Sequence, residues 1–132
     1  MYKKVFIVDD DEVSTFLTET ALDAEGFAQA YESFVSGKQA LAVLLPLLET
    51  RDDNALPDLI LLDLNMPALT GWDFLQALHP YAGVLQQQCR IYILSSSVDE
   101  SEMERASQNN LVAGFLQKPL LEDTVRKLLH GY

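Results

Sequence analysis

The chain has 132 residues, 48% of them hydrophobic, with 20 acidic against 9 basic side chains and a formal net charge of −11. That length and apolar content support one domain with one core and argue against a disordered chain. The charge, with a pI near 4.3, argues against direct binding to nucleic acid or anionic lipid and favours cationic partners, metal ions included.

No apolar run approaches the ~20 residues that a membrane span needs. The first apolar run, residues 5–8, meets three aspartates at once and is no signal peptide. A single cysteine, Cys89, permits no internal disulfide and reads as a packing thiol, which fits a reducing cytoplasm.

In chain order, residues 5–8 (VFIV) form the first expected strand. Residues 13–25 follow as a helix with Val13, Phe16, Leu17, Ala21 and Leu22 on one apolar stripe and Gly26 as its stop. A weaker strand fits residues 28–33. Residues 36–50 give a second helix, which Pro46 should kink or split. After a polar loop comes the strand 59–62 (LILL), then a helix over 71–86 that Pro80 interrupts. The strand 91–94 (IYIL) precedes an acidic, thinly buried helix at 99–109. A short strand at 114–116 and a last helix at 121–130, with Leu121, Val125, Leu128 and Leu129 on one face, complete the chain. Strands apolar on both faces and alternating with helices imply an α/β fold, a doubly wound five-stranded parallel sheet. No linker is visible, and residues 1–132 read as a single domain with no output domain after the last helix.

In such a sheet, ligands bind beyond the carboxyl ends of the strands. The residues found there are Asp9, Asp10 and Asp11 after the first strand and Asp63 after the third. Ser95, Ser96 and Ser97 follow the fourth, and Lys118 with Pro119 follows the fifth. Two carboxylates ~4 Å apart repel by ~4 kcal/mol at an effective dielectric of 20, so clustered aspartates call for a cation. Hard oxygen donors suit Mg²⁺. A carboxylate can also act as a nucleophile toward phosphorus, with a metal, a lysine and a hydroxyl neutralising the transferring group.

The segments VDDDE at 8–12, LLDLNMPALTG at 61–71, ILSSS at 93–97 and GFLQKP at 114–119, in that order along the whole chain, resemble the receiver domain of bacterial two-component response regulators. The resemblance implies a flavodoxin-like (βα)5 fold with strand order 2-1-3-4-5. It implies that Asp63 is the phosphoacceptor, Asp10 a direct Mg²⁺ ligand and Asp9 one acting through water, with Asp63 itself and the backbone carbonyl of Asn65 completing the protein's share. Ser95 would be the switch hydroxyl, Lys118 the cation on the phosphoryl group, the Lys118–Pro119 bond cis, and Phe115 the switch aromatic. The implied partners are a sensor histidine kinase or histidine phosphotransfer protein and a downstream target protein. The surface of the fourth expected helix, last strand and last helix would change partner preference on phosphorylation.

There are three departures from the family pattern. Ser96 stands where a smaller residue is usual, Phe115 lacks a tyrosine hydroxyl, and Asn65 and Ser97 occupy positions that tune phosphoryl lifetime in related proteins. Trp72 reads as packing beside the site, His79 and His130 as surface residues, and Asp11 and Glu12 as acids favourable to a helix N-terminus. Met66, Pro67 and Gly71 shape the loop after Asp63. Two other readings compete. VFIVDDDEV also fits the start of a haloacid-dehalogenase-like phosphatase, with Asp9 as nucleophile and Asp11 as acid/base, but this leaves DLNMP unexplained and little room for a substrate cap. A non-phosphorylated interaction module would keep the fold alone.

Overall fold

The structure, a computed structural model, describes residues 1–96 and 99–130; Ser97 lies outside them. The strands are β1 (Tyr2–Val8), β2 (Ala28–Phe34), β3 (Leu59–Leu62), β4 (Arg90–Ser95) and β5 (Val112–Gln117). They form one parallel sheet in the order β2-β1-β3-β4-β5. The helices are α1 (Glu12–Ala24), α2 (Gly37–Glu49), α3 (Gly71–Leu78), α4 (Ala82–Gln88), α5 (Glu100–Ser107) and α6 (Glu122–His130).

Strand periodicity sorts the core into two layers. Phe6, Val8, Ile60, Leu62, Ile91 and Ile93 point to one face and pack against α2, α3, α4 and α5. Val5, Ile7, Leu59, Leu61 and Leu94 point to the other, against Leu22 of α1 and Val125 and Leu128 of α6. Because the central strands are covered twice, they carry apolar residues at nearly every position. Cys89 is buried at the edge of the first layer.

Local sequence explains where the helices begin. Asp11 caps α1 by accepting from the amides of Val13 and Ser14, Ser36 caps α2, and Thr70 and Asp73 form a reciprocal capping box on α3. Gly26, at φ +60°, supplies the left-handed turn that ends the α1 segment.

Four expectations need correction. Val13, Phe16 and Leu17 are 68%, 67% and 54% exposed, because α1 lies on the sheet through Thr18 and Leu22, and these three residues project from the other side. Pro46 does not split α2: it is exposed in the helix's last turns, while Leu44 and Leu48 stay buried on either side of it. The expected third helix is two helices, α3 and α4, joined by a 3-10 turn at His79–Tyr81, so the fourth and fifth expected helices are α5 and α6. Leu121 precedes α6 and is 64% exposed.

These placements predict that Leu22→Ala costs about 2–5 kcal/mol of stability, whereas Phe16→Ser and Leu17→Ser stay within about 0.5 kcal/mol. Urea unfolding of the three variants checks this.

Candidate functional site

The site is built by carrying the sheet's hydrogen bonding one residue past the strand ends. The amide of Asp9 donates to the Phe34 carbonyl at 3.0 Å, that of Asp63 to Val8 at 2.9 Å, and that of Lys118 to Ser95 at 2.8 Å. Each functional side chain is therefore fixed to the strand beside its own, on rigid sheet rather than on loop. Residues of four strand ends meet as a result.

Asp9 is 3% exposed and is held by three donors. Its Oδ2 accepts from Lys118 Nζ at 2.7 Å and from Ser14 Oγ at 2.7 Å, and its Oδ1 from the Asp11 amide at 3.0 Å. Asp63, 8% exposed, has lighter contacts: the Asn65 amide at 3.3 Å on Oδ1 and Lys118 Nζ at 3.8 Å from Oδ2. Asp10 is exposed, and carboxylate oxygens of Asp9, Asp10 and Asp63 lie within 4.8 Å of one another. Ser95 is fully buried at the end of β4. Phe115 is half-buried in β5 opposite Ile93, and the Lys118–Pro119 bond is cis.

The two buried carboxylates diverge in acidity. Burial raises Asp9, but its bonds from Lys118, Asp11 and Ser14 and the lysine's charge outweigh burial and hold it below the ordinary aspartate value. Burial also raises Asp63, the negative charge of Asp9 adds to that, and the more distant Lys118 does not offset both. Lys118 is thus committed to Asp9, and Asp63 is the carboxylate left short of positive charge. The donor set suits a hard divalent cation: three carboxylates converge, and one of them lacks compensation.

The loop after Asp63 is tightly fitted. A Cβ on Gly71 would lie 2.7 Å from the Asp63 carbonyl oxygen and 2.8 Å from Leu64 Cα, so only glycine lets α3 start there. Ala68 adopts φ 65°, a strained conformation for a residue with a side chain, of the kind found at functional loops. A cavity of about 440 Å³ adjoins the site, lined by Val13, Leu17, Thr18, Ser96, Lys118 and Leu120 among others.

The structure thus brings together Asp9, Asp10, Asp63 and Lys118, with Ser95 on the strand that holds Lys118. The Asn65 amide bonds Asp63; Phe115 lies farther along β5. The motifs do not reveal Ser14: its hydroxyl reaches Asp9 only because α1 turns back over β1. A hydroxyl in the first turn after an acidic strand end is the signal that could have found it.

A family model described as "Response regulator receiver domain" matches residues 5–130. The chain belongs to the response regulator receiver family. The receiver is 32% identical over 113 residues to a probable chemotaxis protein CheY of Rhizobium etli, covering 83% of this chain and 79% of that one. It is 34% identical over 117 residues to the transcriptional regulatory protein CpxR of Klebsiella pneumoniae, covering 88% of this chain but 43% of CpxR. A receiver protein from Dyadobacter fermentans superposes with a TM-score of 0.82 at 29% identity over 98% of this chain and 96% of that one. A two-component response regulator from Cytophaga hutchinsonii shares the fold, with a TM-score of 0.83 at 23% identity over 99% and 98% of the two chains. Receivers are signalling switches that bind Mg²⁺ at an acidic pocket, and Asp9, Asp10 and Asp63 of this one form a cluster that could hold a metal ion.

The opposed acidities have a consequence for stability. Because the folded state raises the Asp63 pKa, the folded protein holds that proton more tightly, and stability falls as pH rises through the folded pKa. Asp63→Asn removes this penalty. The variant should melt a few degrees above wild type at pH 7 without Mg²⁺, with the gap closing as pH falls toward the ordinary aspartate range. Asp9 behaves oppositely: its stabilisation is present above the unfolded pKa and is lost as pH falls through the depressed folded value, so Asp9→Asn should melt below wild type at pH 7. Thermal melts from pH 4 to 8 test both.

Proposed function

We propose that this receiver accepts a phosphoryl group on Asp63 from a phosphohistidine, and that the modified protein signals through a partner protein. The observation that carries this reading is the division of labour between the carboxylates. Asp9 is saturated by three donors, whereas Asp63 is anchored by its backbone, lightly bonded at its oxygens and 3.8 Å from Lys118. A nucleophile needs free lone pairs on a fixed atom.

In the proposed reaction an Asp63 carboxylate oxygen attacks phosphorus, the P–N bond breaks, and the leaving imidazole takes up a proton. Lys118 stands ready to meet the developing charge on a phosphoryl oxygen, and Ser95 would donate to another. Asp10 and Asp63, with the Asn65 carbonyl, would hold Mg²⁺ directly and Asp9 through water; the ion when bound would offset the charge shared by phosphoryl oxygens and carboxylates. Autodephosphorylation is the same site's slow reaction with water. Ser95 and Phe115 would carry the state to the face of α5, β5 and α6, where a downstream target docks.

The donor, a sensor histidine kinase or a phosphotransfer protein, would dock over Val13, Phe16 and Leu17. Val13 and Leu17 share the cavity beside the site with Lys118, so a protein seated there would lie against the lysine that stands 3.8 Å from Asp63. The setting this implies is the cytoplasm. Among the described residues no helix is long and apolar enough to cross a membrane. The dehalogenase-like alternative loses ground, since three donors, one of them the lysine, occupy Asp9.

Intact-mass measurement with acetyl phosphate and Mg²⁺ should show a base-labile phosphoryl adduct in wild type and none in Asp63→Asn. An adduct that persists in Asp63→Asn moves the acceptor elsewhere, and no adduct from acetyl phosphate or from a phosphohistidine donor leaves the interaction-module reading. Leu17→Glu should slow transfer from a phosphohistidine protein at least tenfold, while leaving the reaction with acetyl phosphate within about twofold.

A further inference from the structure

α5 buries little of itself: of its eight residues only Ala106 is buried. Its side-chain tie to the neighbouring helix is unusual. The guanidinium carbon of Arg105 sits 4.2 Å from the ring centroid of Trp72, across an open groove of about 610 Å³ that Leu75, Gln76, His79 and Asn109 also line. Among the described residues Arg105 forms no ion pair, in a chain with 20 acids and 9 bases. An arginine on a helix with three glutamates is thus held by an indole, which binds it through the face of the ring.

Trp72 is placed by the phosphoacceptor loop. It is the second residue of α3 and packs on the core cluster beneath it. Its neighbour Gly71 donates its amide to the Leu64 carbonyl at 3.0 Å and leaves no room for a Cβ against the Asp63 carbonyl. A rigid series of contacts therefore runs from Asp63 through Leu64 and Gly71 to Trp72, and across the groove to Arg105. It reaches the C-terminal half of α5, at Arg105, whereas Ser95 precedes that helix in the chain.

We infer that Trp72 and Arg105 are positioning residues that couple the Asp63 loop to α5, a second mechanical link beside the one through Ser95 and Phe115. This rests on the reading of Asp63 as phosphoacceptor. A displacement of the loop when Asp63 is modified moves Trp72, and the stacked guanidinium carries the C-terminal half of α5 with it. An exposed cation–π contact supports a coupling of about two- to fivefold.

The test uses Mg²⁺ with beryllofluoride, a phosphoryl mimic, and amide NMR shifts. In wild type, the amides of Leu64 and Asn65 and those of Met103 to Ser107 should all move. In Arg105→Ala and in Trp72→Leu, the loop amides should move as before while the α5 shifts fall by at least half. The double variant should fall no further, because both changes break one contact. Arg105→Lys, which keeps the cation, should retain most of the response. Thermal melts confirm that each variant is folded, and Arg105→Gln, which keeps most of the side-chain stem but removes the cation, serves where Arg105→Ala does not fold. Undiminished α5 shifts in the variants, or additive losses in the double variant, overturn the inference and leave the receiver reading intact. Loop amides that fail to move in wild type overturn the phosphoacceptor reading and this inference together.

Discussion

The contact between Lys118 and Asp9, 2.7 Å long and nearly shielded from water, is the interaction on which the arrangement of the site depends. Three carboxylates converge within 4.8 Å, and like charges at that spacing in a poorly solvated place push the strand ends apart. One ammonium group placed on one of them offsets part of that repulsion. Because the lysine lies closer to Asp9 than to Asp63, it does not share its charge evenly. It spares Asp63, and that asymmetry leaves one acid tightly bound and the other lightly bonded.

The sheet makes such asymmetry possible. Asp9, Asp63 and Lys118 are each pinned by their own amide to the adjacent strand, so their side chains start from fixed points only a few ångströms apart. A loop-borne lysine would settle midway between two acids. Here the backbone decides which acid it meets. Gly71 extends the same rigidity outward, since its close approach to the Asp63 carbonyl leaves α3 one place to begin. The placement of the acids and of the lysine is thus a property of main-chain geometry.

Much of this was legible in the sequence. The runs VFIV, LILL and IYIL are apolar without alternation, as parallel strands covered on both faces are, and the polar residues that end those runs, Asp9, Asp63 and Ser95, fall at the carboxyl edge of the sheet. The weak strand at β2 was legible only faintly because it is an edge strand with much of one side in solvent. What sequence could not show was rotation. The apolar stripe on α1 looked like a core face, yet the helix rests on Thr18 and Leu22, because the sheet beneath it decides which side packs. Ser14 and the Trp72–Arg105 stack escaped for the same reason: each joins residues whose separation in space is fixed by how helices lie on the sheet, not by spacing along the chain.

The apolar surface left on α1 also has a colloidal side. Large exposed aliphatic and aromatic groups attract their own kind in neighbouring molecules, and a chain with Val13, Phe16 and Leu17 outward would self-associate if neutral. A net charge of −11 surrounds that patch with a long-range repulsive field, strongest at low ionic strength. Identical copies therefore repel one another before short-range attraction can act, whereas a partner with a basic rim is drawn in. The acidity of the chain thus acts as a bias on encounters: it slows the approach of like-charged copies to that surface and favours cationic ones.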